Sequence, residues 1–184
     1  MKLPCTIFLL ALAASAQLAS AAEPDSSLAS IVVGSPVYAL YDQFPALFSH
    51  RLMMGEILYE ACNQKTLDVF TFVEEPWSHG RITKIWVRRA PVAVCRDADG
   101  SLPDIERSAT TPRALAIGDP ESRVHEIYGE PKHKTSDRLQ QTLVYEFPSS
   151  DAGVANVNLE VDIADAKVKG FLLSGDVAGV HKPK

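Results

Sequence analysis

The sequence predicts an α+β fold made of two tandem repeats, each a short helical segment packed on an antiparallel sheet of three to four strands. Three observations carry that expectation. Ile31-Val32-Val33-Gly34-Ser35-Pro36 is echoed by Leu115-Ala116-Ile117-Gly118-Asp119-Pro120. Each stretch leads into a short helical pattern, Val37 to Phe44 in the first copy and Glu121 to Tyr128 in the second. Further on, Ile57-Leu58-Tyr59-Glu60-Ala61 is matched by Leu143-Val144-Tyr145-Glu146-Phe147. The offset is 84 residues at the glycines and 86 at the tyrosines, so a supersecondary unit of roughly eighty residues recurs.

Ahead of both copies lies a leader. Met1-Lys2 is a basic start, Ile7 to Ala14 is an apolar run too short to span a bilayer, and Ala19-Ser20-Ala21 offers small residues for cleavage. Residues 1–22 therefore read as a cleaved signal peptide, and the protein as periplasmic or secreted. Cys5 precedes the apolar run, the wrong order for a lipoprotein site, so no direct membrane anchor is expected. The divisions that follow are a first repeat at 23–96, a linker at 97–111, a second repeat at 112–174 and a flexible tail at 175–184.

In the first repeat, residues 23 to 29 read as loosely ordered. Gly34 permits a sharp turn, Ser35 is placed to cap a helix with Pro36 after it, and Leu40, Tyr41 and Phe44 form the apolar face before Pro45. Strand-like runs follow at 55–61, 67–73 and 81–87, the last two joined by the long loop Glu74 to Gly80. Val92-Ala93-Val94 offers a fourth strand. The linker opens on Asp97-Ala98-Asp99-Gly100-Ser101 and is polar and turn-rich. In the second repeat Gly118 makes the turn, Asp119 caps, Pro120 opens the helix, and Gly129 with Pro131 stops it. Both helices span about nine residues, too short to persist without packing. Strands are expected at 141–147, 156–163 and 167–173, with Ala164-Asp165-Ala166 as a tight hairpin. Tyr59 and Tyr145, aligned in the two copies, are expected to be buried with bonded hydroxyls.

The chain has 184 residues and a net charge of −5, and losing Lys2 with the leader makes it one unit more negative. An acidic balance argues against nucleic acid, whose phosphates call for clustered Lys and Arg. Cys62 and Cys95 survive export, and an oxidising compartment favours a disulfide between them over two buried thiols. No enzyme activity, cofactor or metal is expected. The five histidines, His50, His79, His125, His133 and His181, lack ligand spacing. Glu74 and Glu75, ahead of Pro76, read as solvated charge.

The second copy, with Gly118-Asp119, Val124, Tyr128-Gly129-Glu130-Pro131, Leu143-Val144-Tyr145 and Ala166-Lys167-Val168, resembles the repeat of the small outer-membrane assembly lipoproteins of the SmpA/OmlA type. Two such units in tandem are similar to the architecture of β-lactamase inhibitory proteins, in which two helix-plus-sheet repeats present a concave sheet to a protein target. The resemblance implies shape more than role, because its motifs are turns and caps. The lipoprotein cysteine of the assembly factors is missing here.

Large apolar residues supply the functional candidates. Trp77 and His79 sit in the long hairpin loop, for which the second copy has no counterpart. Lys84, Trp86 and Arg88 share one strand face by alternation, and a Trp bordered by cations has the composition of a protein-binding patch. Trp86 also aligns with Leu172, and a position apolar in both copies favours core. The expected role is a non-catalytic module that occludes another protein in the periplasm or outside the cell, as an inhibitor or immunity protein does. The alternatives are an envelope-assembly accessory and a small-ligand or cell-wall binding module.

Overall fold

The computed structural model describes residues 26–51, 55–97, 100–149 and 154–177; residues 1–22, expected to form a cleaved leader, lie outside these. Among the described residues no helix is long and apolar enough to cross a membrane. The chain opens with a small hairpin of β1 (Ser27–Leu28) and β2 (Ile31–Val32), followed by α1 (Tyr38–Gln43). Then come β3 (Phe48–Arg51), β4 (Ile57–Asn63), β5 (Asp68–Glu74) and β6 (Ile82–Arg89). A connecting stretch holds α2 (Val92–Cys95), β7 (Arg96–Asp97) and β8 (Gly100–Ser101). The remainder is α3 (Glu121–Tyr128), β9 (His133–Ser136), β10 (Gln141–Pro148), β11 (Val154–Ala164) and β12 (Lys167–Val177).

Strand alternation decides the layout. On β11, Val157, Leu159, Val161 and Ile163 are buried while Asn158, Glu160 and Asp162 between them are half-buried, the pattern of a sheet with one covered face. The eight longer strands form one antiparallel sheet in the order β3-β4-β5-β6-β12-β11-β10-β9. Two meanders thus meet through their last strands, β6 and β12. The register runs buried side chains straight across the join: Tyr59, Phe72, Ile85, Leu173, Leu159 and Tyr145 form one row. Ala61, Phe70, Val87, Phe171, Val161 and Leu143 form the next. Both tyrosines are buried; the Tyr59 hydroxyl donates to Glu74 at 2.7 Å and that of Tyr145 to the Gly129 carbonyl at 3.3 Å.

This architecture overturns the expected α+β class. The described residues are mainly β, and the helices among them are six, four and eight residues long. Leu40 is the single buried residue of α1 and Val124 that of α3, so neither helix forms a layer on a sheet of its own. What recurs instead is a set of backbone contacts. Gly34 N–H bonds the Ile82 carbonyl, Ile82 N–H the Ser35 carbonyl and Val37 N–H the Gly80 carbonyl. In the other half Gly118 N–H bonds Val168, Val168 N–H bonds Asp119 and Glu121 N–H bonds Ala166. Pro36 bridges Arg81 as Pro120 bridges Lys167. Each turn thereby pins the start of the last strand of its meander.

The expected caps are corrected by the same contacts. Val37, not Ser35, is the N-cap of α1, and Pro120, not Asp119, that of α3; neither makes a side-chain cap bond. The Asp119 carboxylate instead accepts from Ala116 N–H at 2.8 Å, which tightens the turn. Gly129 ends α3 as expected, at φ 75° with its N–H on the His125 carbonyl. Gly34 and Gly118 take φ of 91° and 100°, values that a Cβ opposes.

Three further expectations change. Val92-Ala93-Val94 is not a strand but part of α2, a single turn closed by Val94 N–H on the Pro91 carbonyl. The residues read as a polar linker are pinned to the sheet edge: Cys62 N–H bonds Pro103, Ile105 N–H bonds Cys62, and Ile105 and Ala109 enter the core. Of the ends read as loosely ordered, the described parts are structured, since Leu28 is buried in β1 and residues 175 to 177 belong to β12; residues 23–25 and 178–184 lie outside the described residues. Cys62 and Cys95 stand at disulfide distance, Cα to Cα 5.7 Å, and are buried with Val69 and Ala90 in a small second core. That core lies on the face opposite Ala61 and Phe70, so α2 covers one corner of the otherwise open side of the sheet.

Candidate protein-binding face

Residues of β6 that alternate with Ile85 and Val87 point to the open side, and Lys84, Trp86 and Arg88 therefore share it. Trp86 is 37% exposed, which corrects the core position that its alignment with Leu172 favours. The alignment itself is sound: Trp86 and Leu172 are direct cross-strand partners at the join of the meanders. Both belong to the open face, so apolar character in both copies marks the centre of that surface.

Around this centre the register builds a mixed lining. Glu60, Thr71, Trp86, Leu172, Glu160 and Val144 form one row across six strands. The Arg88 guanidinium lies over the Trp86 ring, 4.6 Å from its centroid, a cation–π contact that holds both side chains in place. Thr71 donates to Glu60 at 3.0 Å, and Thr142 donates to Asp162 at 2.8 Å. Thr71 beside Trp86 is buried, and Glu60 and Glu160 in the same row are half-buried; Trp and Arg in the middle of such a face are the residue types that carry most binding energy at protein interfaces.

Lys84 is less available than its alternation suggests. Its ammonium meets Glu75 at 2.7 Å and Glu56 at 3.5 Å. Burial by itself would lower its pKa, but the bond to Glu75 and the charges of Glu75 and Glu56 outweigh that and raise it. Lys84 thus ties the long hairpin loop to the sheet. Glu75, expected to be solvated, is buried in this pair, and Glu74 accepts from Tyr59.

The loop runs from Glu75 to Arg81, between the ends of β5 and β6. Arg81 reaches the Gly34 carbonyl at 2.7 Å, and Ser78 is fully buried. Within it Trp77 is half-buried and His79 is exposed at φ 52°. The two loop candidates belong to a segment tied to Lys84 of the open face through Glu75 and to Gly34 and Val37 through Arg81 and Gly80, while Trp86 and Arg88 stand at the middle of that face. Sequence reasoning missed Glu160, Asp162 and Leu172 as parts of the same surface; their alternation on β11 and β12 was visible, but the β6–β12 pairing that brings them beside Trp86 leaves no local signal.

On the other side of the molecule, a groove of about 550 Å³ is lined by Ser27, Ser30, Arg107, Ser108 and Thr111 among others. Arg107 is already engaged there, with Ser30 at 2.8 Å and the Phe44 ring at 5.5 Å. Among the described residues no three His, Cys, Asp or Glu side chains group as metal ligands. No family model, no curated protein and no solved structure matches the chain, so the surface is read from its own chemistry.

Proposed function

We propose that this chain is an exported, non-catalytic binding protein that uses the open face of its sheet to cover part of another protein, in the manner of an inhibitor or immunity protein. The observation that carries this reading is Trp86, 37% exposed in mid-sheet beneath the Arg88 guanidinium. Trapping a large aromatic half in water forgoes hydrophobic stabilisation that burial would supply, and docking of a partner would recover it. The long loop with Trp77 and His79 adds contact area at one end, at little cost in closure entropy.

The test compares captures. Mature wild-type protein and a Trp86→Ala variant, each immobilised, are exposed to envelope extract, and the affinity of the captured protein is measured for both. Trp86→Ala should fold with nearly unchanged thermal stability and bind at least about thirtyfold more weakly, a loss of roughly 2 kcal/mol. Equal binding by the two proteins would end the proposal. The second reading, an envelope-assembly accessory, is favoured by the Tyr128-Gly129-Glu130-Pro131 resemblance, and capture of an outer-membrane barrel rather than a secreted effector would select it.

A further inference from the structure

Away from the open face of the sheet, two cavities meet at one arginine. The groove of about 550 Å³, whose lining includes Ser27, Ser108 and Thr110, shares a border with a smaller pocket of about 270 Å³ whose lining includes Pro45, Leu47 and Ile105. Arg107 belongs to both linings. The hydroxyls of Ser27, Ser108 and Thr110 make no hydrogen bond among the described residues, so the larger cavity has polar groups to offer and the smaller one apolar walls.

The local structure holds the arginine in place. Its carbonyl accepts from the buried Asn63 amide at 2.9 Å, and two residues earlier Ile105 N–H bonds the Cys62 carbonyl. The backbone that carries Arg107 is thus fastened to the end of β4. Its guanidinium lies over the Phe44 ring, 5.5 Å from the centroid, and one N–H donates to the Ser30 hydroxyl at 2.8 Å. Ala29 and Ser30 form the two-residue turn between β1 and β2 at φ of 51° and 66°, a conformation that non-glycine residues adopt at a cost in strain. A guanidinium has five N–H groups, and the remaining ones of Arg107 have no partner among the described residues. The neighbouring acids are engaged elsewhere: Glu106 meets Lys65 at 3.2 Å on the exposed surface, and the Asp104 carboxylate accepts from Gln64 N–H at 3.0 Å.

We infer that this junction binds the last residue of a peptide that ends in a free carboxylate and an apolar side chain. A chain end is a three-way branch of charge, side chain and preceding amide backbone, and the junction has a counterpart for each. The Arg107 fork suits a carboxylate, which it pairs through two parallel bonds. The smaller pocket has room for one apolar side chain, and the groove hydroxyls supply donors and acceptors for the amides that precede it. Because Ser30 and Phe44 already fix the guanidinium, little side-chain freedom remains to be lost on binding. The site is separate from Trp86 and does not depend on the open face being a docking surface.

The probe is N-acetyl-Ala-Ala-Leu with a free carboxylate, titrated into the folded, isotopically labelled protein and followed by nuclear magnetic resonance. The amide signals of Ser30, Ile105, Ser108 and Thr110 should shift together and reach half-saturation at about 1 mM or below. The same peptide as its C-terminal amide, and a free acid ending in Ser instead of Leu, should each bind about tenfold more weakly. Arg107→Gln should weaken the acid by about tenfold and leave the amide unchanged, a non-additivity that a loss of fold does not produce. Equal binding of acid and amide by the wild type, or shifts centred away from these four residues, would overturn the inference. N-acetyl-leucine binding as tightly as the tripeptide would do so too, as would an absence of shifts at about 10 mM acid.

Discussion

In the first half of the sheet the β5–β6 connection takes seven residues, Glu75 to Arg81, whereas in the second Asp165 and Ala166 alone close β11 to β12. Both residues of the short turn have positive φ, 52° and 55°, the conformation that suits the twist of a two-residue hairpin. The half with the long loop also holds the two cysteines, Trp86 and Arg88, while its counterpart holds Glu160 and Asp162 at the corresponding side of the open face. On the covered face the halves match nearly residue for residue, from Tyr59 and Phe72 to Leu159 and Tyr145. A core row must be filled in both halves for the sheet to continue through β6 and β12, but the open face and the loop tips answer to other demands, and there the halves have parted.

The bridge is the sharpest asymmetry, and removing it should have the largest effect. Cys62 and Cys95 close a loop of 33 residues, for which chain entropy gives about 3 to 4 kcal/mol. The double variant to Ser should lose about that much in chemical denaturation and melt several degrees lower. The loss should concentrate in the first half, where hydrogen exchange at Cys62 and Ile105 should accelerate more than at Val144. Two freely alkylated thiols in the oxidised wild type would remove the asymmetry altogether.

The paired glycines probe what the halves share. Gly34 and Gly118 make equivalent bonds, yet a Cβ at Gly34 would stand 2.5 Å from a Val154 methyl, while at Gly118 nothing lies within 4 Å. Gly34→Val should therefore cost about 2 to 4 kcal/mol and Gly118→Val about 1 to 2, the latter from backbone strain alone. Equal losses in denaturant titrations would show that strain dominates at both turns.

A smaller effect is expected at Glu160, whose place in the row beside Leu172 corresponds to that of Thr71 beside Trp86. Its folded pKa is raised, so whatever stability the carboxyl contributes is fully present below its unfolded pKa and is lost as pH rises through the folded value. Relative to wild type, Glu160→Gln should be neutral near pH 4 and more stable by about 1 °C at pH 7.5, a few tenths of a kcal/mol. Melting curves at the two pH values that differ in the opposite sense would mean that the acid is already compensated.

Much of the strand pattern was legible because alternation is local. The runs that became β4, β5, β6, β10, β11 and β12 announced themselves within a few residues at either end, and the pairing of Cys62 with Cys95 was expected from the leader-like start of the chain. The edge strands did not: His133–Ser136 is polar and exposed throughout, with no apolar period to read. Val92-Ala93-Val94 looked like a strand by β-branching, but Pro91 starts a helical turn there and the bridge holds it. Ser35 and Asp119 looked like caps because the residue types suit that role; tertiary hydrogen bonds to the last strand of each meander took precedence. The class itself was misjudged for a related reason, since short amphipathic runs suggest a helical layer while only the packing reveals that each helix buries one residue. Trp86 misled most usefully, because a position apolar in both copies sits at the centre of an open surface.

The strand order has a consequence for how the molecule is made. The middle of the sheet is completed by β12, the strand nearest the C-terminus among those described, which slots between β6 and β11. Until it emerges, the first meander has a bare edge along Ile82–Arg89, a row of open donors and acceptors of the kind that templates intermolecular pairing. The decisive pairing, Trp86 with Leu172, spans nearly half the chain, so closure must wait on a slow long-range search rather than follow synthesis step by step. Anything that keeps the nascent chain extended until its last strand is available protects it from premature partners.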